Sequence, residues 1–158
     1  AMKDIECIRS YAFPKISDFL GPVKMSVTQI NAGTQHNVVP AECNFVVDIR
    51  VNDCYSNTEV LEIVQQNIQS TAVARSTRLN SSGVSAQHPI REVAKIMNLK
   101  TYGSPTLSDQ ALMPCESVKI GPGDSARSHT ANEFIFLDEL KNAVPHYIQI
   151  LNELGKLL

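Results

Sequence analysis

Apolar and polar positions along this chain recur with two different periods, and the period says which element each stretch builds. Ile5, Ile8 and Tyr11 stand at helical spacing and predict a helix over 3–11. Pro14 and Gly21-Pro22 then punctuate a connecting loop. From Val23, the run Val-Lys-Met-Ser-Val-Thr alternates with period two, as a half-buried strand does. After a loop at 31–40 the alternation returns. Cys43, Phe45, Val47, Ile49 and Val51 share one face of a second predicted strand, with Asp48 and Arg50 on the other. Ser56-Asn-Thr-Glu59 has the form of a capping box, opening a helix whose apolar stripe is Val60, Leu61, Val64 and Ile68. A third strand is expected at about 71–79.

Helix, strand, strand, helix, strand is the order of a ferredoxin-like βαββαβ unit that lacks its first strand. Such a sheet is expected to keep an exposed edge, a template for self-association. Asn80-Ser-Ser-Gly83 reads as a linker and divides the chain into segments 1–79 and 80–158. In the second segment Pro89 suits a first helical turn, with Ile90, Val93, Ala94 and Met97 on one face. Ser108 and Asp109 fit the cap of a short helix, and Ser117–Ile120 a short strand. The last helix is predicted over about 133–157, with Glu133 and Asp138 as first-turn charges favouring its dipole. Pro145 should kink or split that helix. The fold class is α/β, of the α+β kind.

Composition narrows the function classes. With 43% hydrophobic and 19% charged residues the chain is globular. A net charge of −2 provides no electrostatic footprint for nucleic acid or an anionic membrane, so neither is an expected partner. No apolar run approaches the roughly 20 residues that span a bilayer. Cys7, Cys43, Cys54 and Cys115 form no Cys-x-x-Cys pair and read as reduced thiols of a cytoplasmic protein.

The candidate chemistry gathers at Gly121-Pro-Gly-Asp-Ser-Ala-Arg-Ser-His-Thr-Ala-Asn-Glu-Phe134. There His129 stands between a glycine-bounded turn and an apolar, acidic run. Neutral imidazole is the commonest protein metal ligand, although a lone histidine is usually an ordinary surface or core residue. A phosphate cradle is rejected at Gly121-Pro-Gly123, because a Walker loop ends in Gly-Lys-Ser/Thr and this one runs into Ala-Arg-Ser.

This segment resembles the last motif of the zinc-dependent amidohydrolases and metallopeptidases, the family of acetylornithine deacetylase, succinyl-diaminopimelate desuccinylase, aminoacylase and carboxypeptidase G. Gly33-Thr-Gln-His-Asn-Val-Val-Pro40 with Phe45-Val-Val-Asp-Ile-Arg50 resembles that family's lid segment. Ser104-Pro-Thr-Leu-Ser-Asp-Gln-Ala111 resembles a substrate-proximal turn of its deacetylase branch. The likeness is greatest to acetylornithine deacetylase-like proteins of arginine biosynthesis. It implies a partial lid, or dimerisation, domain followed by the C-terminal α/β portion of a zinc-peptidase-like catalytic domain.

The family's His-x-Asp motif and Glu-Glu pair do not occur among these residues. The chain is therefore expected to be the C-terminal part of a longer enzyme, inactive by itself and without catalytic residues of its own. By the resemblance, the parent holds two zinc ions, with cobalt an alternative, and removes the acyl group from an N-acyl amino acid. His129 would supply one metal ligand, and the lid would form a homodimer.

The resemblance gives Arg50 the substrate carboxylate, which its guanidinium fork suits. The plain alternative is a strand cation paired with Asp48 or a cross-strand neighbour. Asn37 either orients substrate or stabilises a turn, and Ser108 and Asp109 either face substrate or cap a helix. His36 does not align with the family's lid histidine and is read as a loop residue. His88 and His146 carry no role. The rival reading is a non-catalytic dimerisation or carboxylate-binding module.

Overall fold

The computed structural model describes residues 1–158 as a mixed α+β protein. It forms two compact units, Ala1–Ser82 with Gly103–Pro114, and Gly83–Tyr102 with Cys115–Leu158.

In the first unit, α1 (Met2–Ser10) and α2 (Asn57–Asn67) flank an antiparallel pair, β1 (Lys24–Ala32) and β2 (Cys43–Arg50). The capping box of α2 is present as expected: Ser56 accepts the Glu59 amide, and Glu59 accepts the Ser56 amide. The stripe it starts buries Val60 and Val64 against Phe13, Val23 and Tyr55. Phe13 meets Tyr11 and Tyr55 edge-on, with ring centroids 4.9 and 5.4 Å apart. Asn52 lies inside this core at 1% exposure and is fully engaged there. Its amide donates to the Gly21 carbonyl at 2.8 Å, and its oxygen accepts from the Cys54 amide at 3.0 Å.

Lys24 faces Arg50 and Ser26 faces Asp48, so the solvent side of the hairpin is polar. The register slips between Val27 and Gln29, leaving Thr28 as the extra residue of a bulge. Beyond it, Ile30 and Ala32 face Phe45 and Cys43, so the slip keeps the apolar face continuous across a change from odd to even positions.

The expected third strand does not form. Residues 72–79 alternate half-buried and exposed positions on either side of a bend at Arg75, yet the sheet has two strands. The backbone here is engaged by side chains of α2 instead of a ladder. Gln65 donates to the Ala72 carbonyl at 2.9 Å, and Asn57 donates to the Leu79 carbonyl at 2.8 Å. Each strand of the pair keeps one free edge.

In the second unit, α3 (Pro89–Ile96) begins at Pro89 as predicted and buries Val93 completely. It packs on α4 (Leu137–Gly155), which buries Ala143 and Ile150. Two expectations change in this unit, and of the two outcomes expected at Pro145, splitting does not occur. Ser117–Ile120 forms no strand, and the Ser117 amide donates to the Gly83 carbonyl at 3.0 Å. The last helix starts at Leu137, because Glu139 reaches back to accept the Phe136 amide at 3.0 Å and ends the coil there. It then continues through Pro145 without splitting, since the ring removes one donor while the flanking turns remain hydrogen-bonded.

Candidate functional site

The glycine-rich loop is built around Arg127. Gly123 adopts φ +84°, a conformation that favours glycine. Asp124 accepts the Ala126 amide at 2.9 Å and opens the short 3-10 turn Ser125–Arg127. This turn delivers the Arg127 guanidinium to Glu139 and to the rings of Phe134 and Phe136, each centroid 5.0 Å away. The two rings meet edge-on at 5.2 Å. The bond from Arg127 is the main reason the Glu139 carboxyl is held below its ordinary range, and the same bond raises Arg127. Thr130 closes the turn by donating to the Arg127 carbonyl at 2.9 Å.

His129 follows directly. Its φ of +59° is left-handed, an arrangement that costs a non-glycine residue roughly 1–3 kcal/mol unless its surroundings impose it. The Glu133 carboxylate supplies such surroundings. One oxygen accepts the His129 amide at 3.1 Å, and the other accepts the Ser128 hydroxyl at 3.2 Å. Glu133 is therefore not a first-turn charge of α4 as expected. It precedes the helix and closes the turn that presents His129. The imidazole is exposed and takes no part in these bonds.

No three His, Cys, Asp or Glu side chains converge to make a metal cage. A protein zinc site usually takes three or four such ligands. His129 could serve as one ligand, and the rest would have to come from outside these residues.

The other predicted contacts lie in the first unit. Arg50 is exposed at the end of β2 and donates from Nε to Asp48 at 2.8 Å, the same-face pair that period-two alternation requires. Asn37 is exposed in the turn of the β1–β2 connection. The base of that connection is closed where Gly33, at φ +73°, lies against Pro40; a Cβ on Gly33 would come within 2.9 Å of the proline ring. β2 is eight residues long, and at a rise of about 3.4 Å per residue it sets Arg50 roughly 24 Å from the end that joins the Asn37 loop. The hairpin does not bring the two together. His36 lies in the same exposed turn. Ser108 precedes the 3-10 turn Asp109–Leu112, but its hydroxyl makes no capping bond; the turn is closed by the Ala111 amide donating to the Ser108 carbonyl at 3.0 Å. Asp109 is exposed.

Two contributors went unread in the sequence. Arg127 organises the loop, and the alternation of Phe134 and Phe136 beside Glu139 was the available signal. His88 caps α3 through Nδ1, which accepts the Ile90 amide at 3.2 Å. A proline at the first helical position already marks the residue before it as the cap.

No helix is long and apolar enough to cross a membrane. Residues 2–76, the segment containing α1, the hairpin, α2 and the first part of the run after it, match the M20_dimer family, described as a peptidase dimerisation domain. Over that segment, a little under half of its length, the chain is similar to the dimerisation domain of M20 peptidases.

Proposed function

We propose that the chain is part of a metal-dependent hydrolase that removes an acyl group from an N-acyl amino acid, in the manner of acetylornithine deacetylase. The observation that carries this reading is the match of residues 2–76 to a domain of peptidases. The motif around His129 supports it. In this reading His129 is one ligand of a zinc site completed by residues outside this sequence, with cobalt as the alternative metal. A metal there would supply Lewis-acid polarisation of the amide carbonyl.

This chain's own residues bind and orient. Arg50 takes the substrate carboxylate, for which it would exchange its exposed bond to Asp48. Asn37 contacts the substrate from the hairpin turn, and Ser108 and Asp109 line its approach. Arg50 and Asn37 stand at opposite ends of β2. They would therefore meet one small substrate only if different copies of the chain contribute them, which a homodimer through residues 2–76 would allow.

The second reading is a non-catalytic dimerisation or carboxylate-binding module. The match of residues 2–76 to a dimerisation domain is the observation that favours it. The two are separated by measuring zinc content and N-acetylornithine hydrolysis for this chain alone and for a longer product that includes the upstream residues. A longer product that binds metal and turns over, and loses a metal equivalent on His129→Ala, supports the hydrolase. Unchanged metal content in that variant overturns the ligand assignment.

A further inference from the structure

We infer that Glu133 is the positioning residue of His129: its carboxylate bridges Ser128 and His129 and holds the histidine backbone left-handed, which sets the direction in which the side chain leaves the loop. The value of that position for metal binding rests on the reading of His129 as a ligand; the clasp itself rests on geometry.

Three observations converge on it. His129 is one of two non-glycine residues with positive φ, so a specific constraint has to hold its backbone there. Glu133 uses both oxygens on consecutive residues, the Ser128 hydroxyl at 3.2 Å and the His129 amide at 3.1 Å. The flanks are fixed independently. Upstream, Arg127 is tied to Glu139 and Thr130; downstream, Phe134 and Phe136 stack around the guanidinium. Between those anchors the bond to Glu133 is the contact that engages the His129 backbone directly. A carboxylate suits this task better than an amide, because it presents two equivalent acceptors and each bond to it is charge-assisted. The imidazole is engaged by none of these bonds, so the clasp fixes the Cα–Cβ direction without occupying the ring nitrogens.

The test is nuclear magnetic resonance on the full chain, reading amide exchange at His129 and the Cα and Cβ shifts that report a left-handed backbone. Glu133→Ala should speed His129 amide exchange ~10-fold or more and remove the left-handed shift signature, with the thermal melt unchanged. Glu133→Gln, which keeps one acceptor oxygen, should retain part of both. Ser128→Ala removes only the neighbouring bond and should leave the His129 signals in place. Unaltered His129 exchange and shifts in Glu133→Ala overturn the inference. None of these readouts depends on metal, so a failed ligand assignment, seen as unchanged metal content in His129→Ala, stays distinguishable from a failed clasp.

Discussion

Arg127 and Glu139 are joined by an ion pair that ties the glycine-rich loop to the first turn of α4. Through its other oxygen Glu139 accepts the Phe136 amide, so one carboxylate both starts the helix and anchors the loop. The Glu139 carboxyl is held low by Arg127 first and by the Phe136 amide second. A carboxyl depressed in the folded state adds stability above its unfolded value, and that stability is lost as pH falls through the folded one. Arg127→Met keeps much of the side chain's bulk and removes the charge. It should lower the melting temperature at neutral pH and flatten the acid limb of the stability curve. Melts between pH 7 and pH 3 check this, and an unchanged curve would show that the pair contributes nothing.

Asp4 makes the corresponding link in the first unit. It is 4% exposed on α1 and accepts the Gln69 amide at 3.0 Å and the Ser70 amide at 3.2 Å, at the turn that follows α2. The Gln69 amide foremost, then the Ser70 hydroxyl, lower its carboxyl from the ordinary 3.8 to about 2. The sign is that of a depressed acid: its stabilisation is complete above the ordinary value and disappears between there and about pH 2. Asp4→Asn should therefore be less stable than the parent at pH 7 and similar to it at pH 2. Urea unfolding at the two pH values is the measurement.

Gly33 and Gly21 share a left-handed backbone, φ +73° and +72°, but differ in surroundings. A Cβ on Gly33 would stand 2.9 Å from the Pro40 ring, whereas on Gly21 it would meet nothing within 4 Å. Both alanine variants carry the backbone penalty, and only Gly33→Ala adds a clash. Gly21→Ala should lose ~1 kcal/mol and Gly33→Ala ~2–3 kcal/mol. Equal losses by denaturant titration would show that the hairpin loop yields to the added carbon.

Arg50 and Asp48 are both well exposed, at 68% and 47% for their side chains. Such a pair contributes only about 0–1 kcal/mol to stability. Arg50→Ala should leave the melting temperature within about 4 °C of the parent. If Arg50 takes the substrate carboxylate, the same variant in an active longer product should raise KM with little change in kcat. A loss of stability without an effect on KM would identify Arg50 as a purely structural strand cation.

The elements most legible in the sequence were those whose cause is local. Ser56 and Glu59 form their capping box within four consecutive residues, Pro89 starts α3 from its own ring geometry, and the alternation over 43–51 defines β2 and its faces. The run at 71–79 was misread because alternation reports burial on one side, not the presence of a ladder partner; α2 side chains bind that backbone instead. Glu133 was misread for a related reason. Its acidity near a helix start was visible, but its partners, Ser128 and His129, depend on how the loop folds back.

The candidate site divides in the same way. The sequence by itself nominated His129, Arg50 and Asn37 for the proposed chemistry, through residue type and resemblance to family motifs. It also determined the local turns and caps, whose partners lie within a few residues along the chain. Only the tertiary structure decided that Arg127 meets Glu139 and that Asp4 reaches Ser70. These are contacts set by chain folding. No period of three or two along the sequence encodes them, because each depends on where a distant backbone comes to rest.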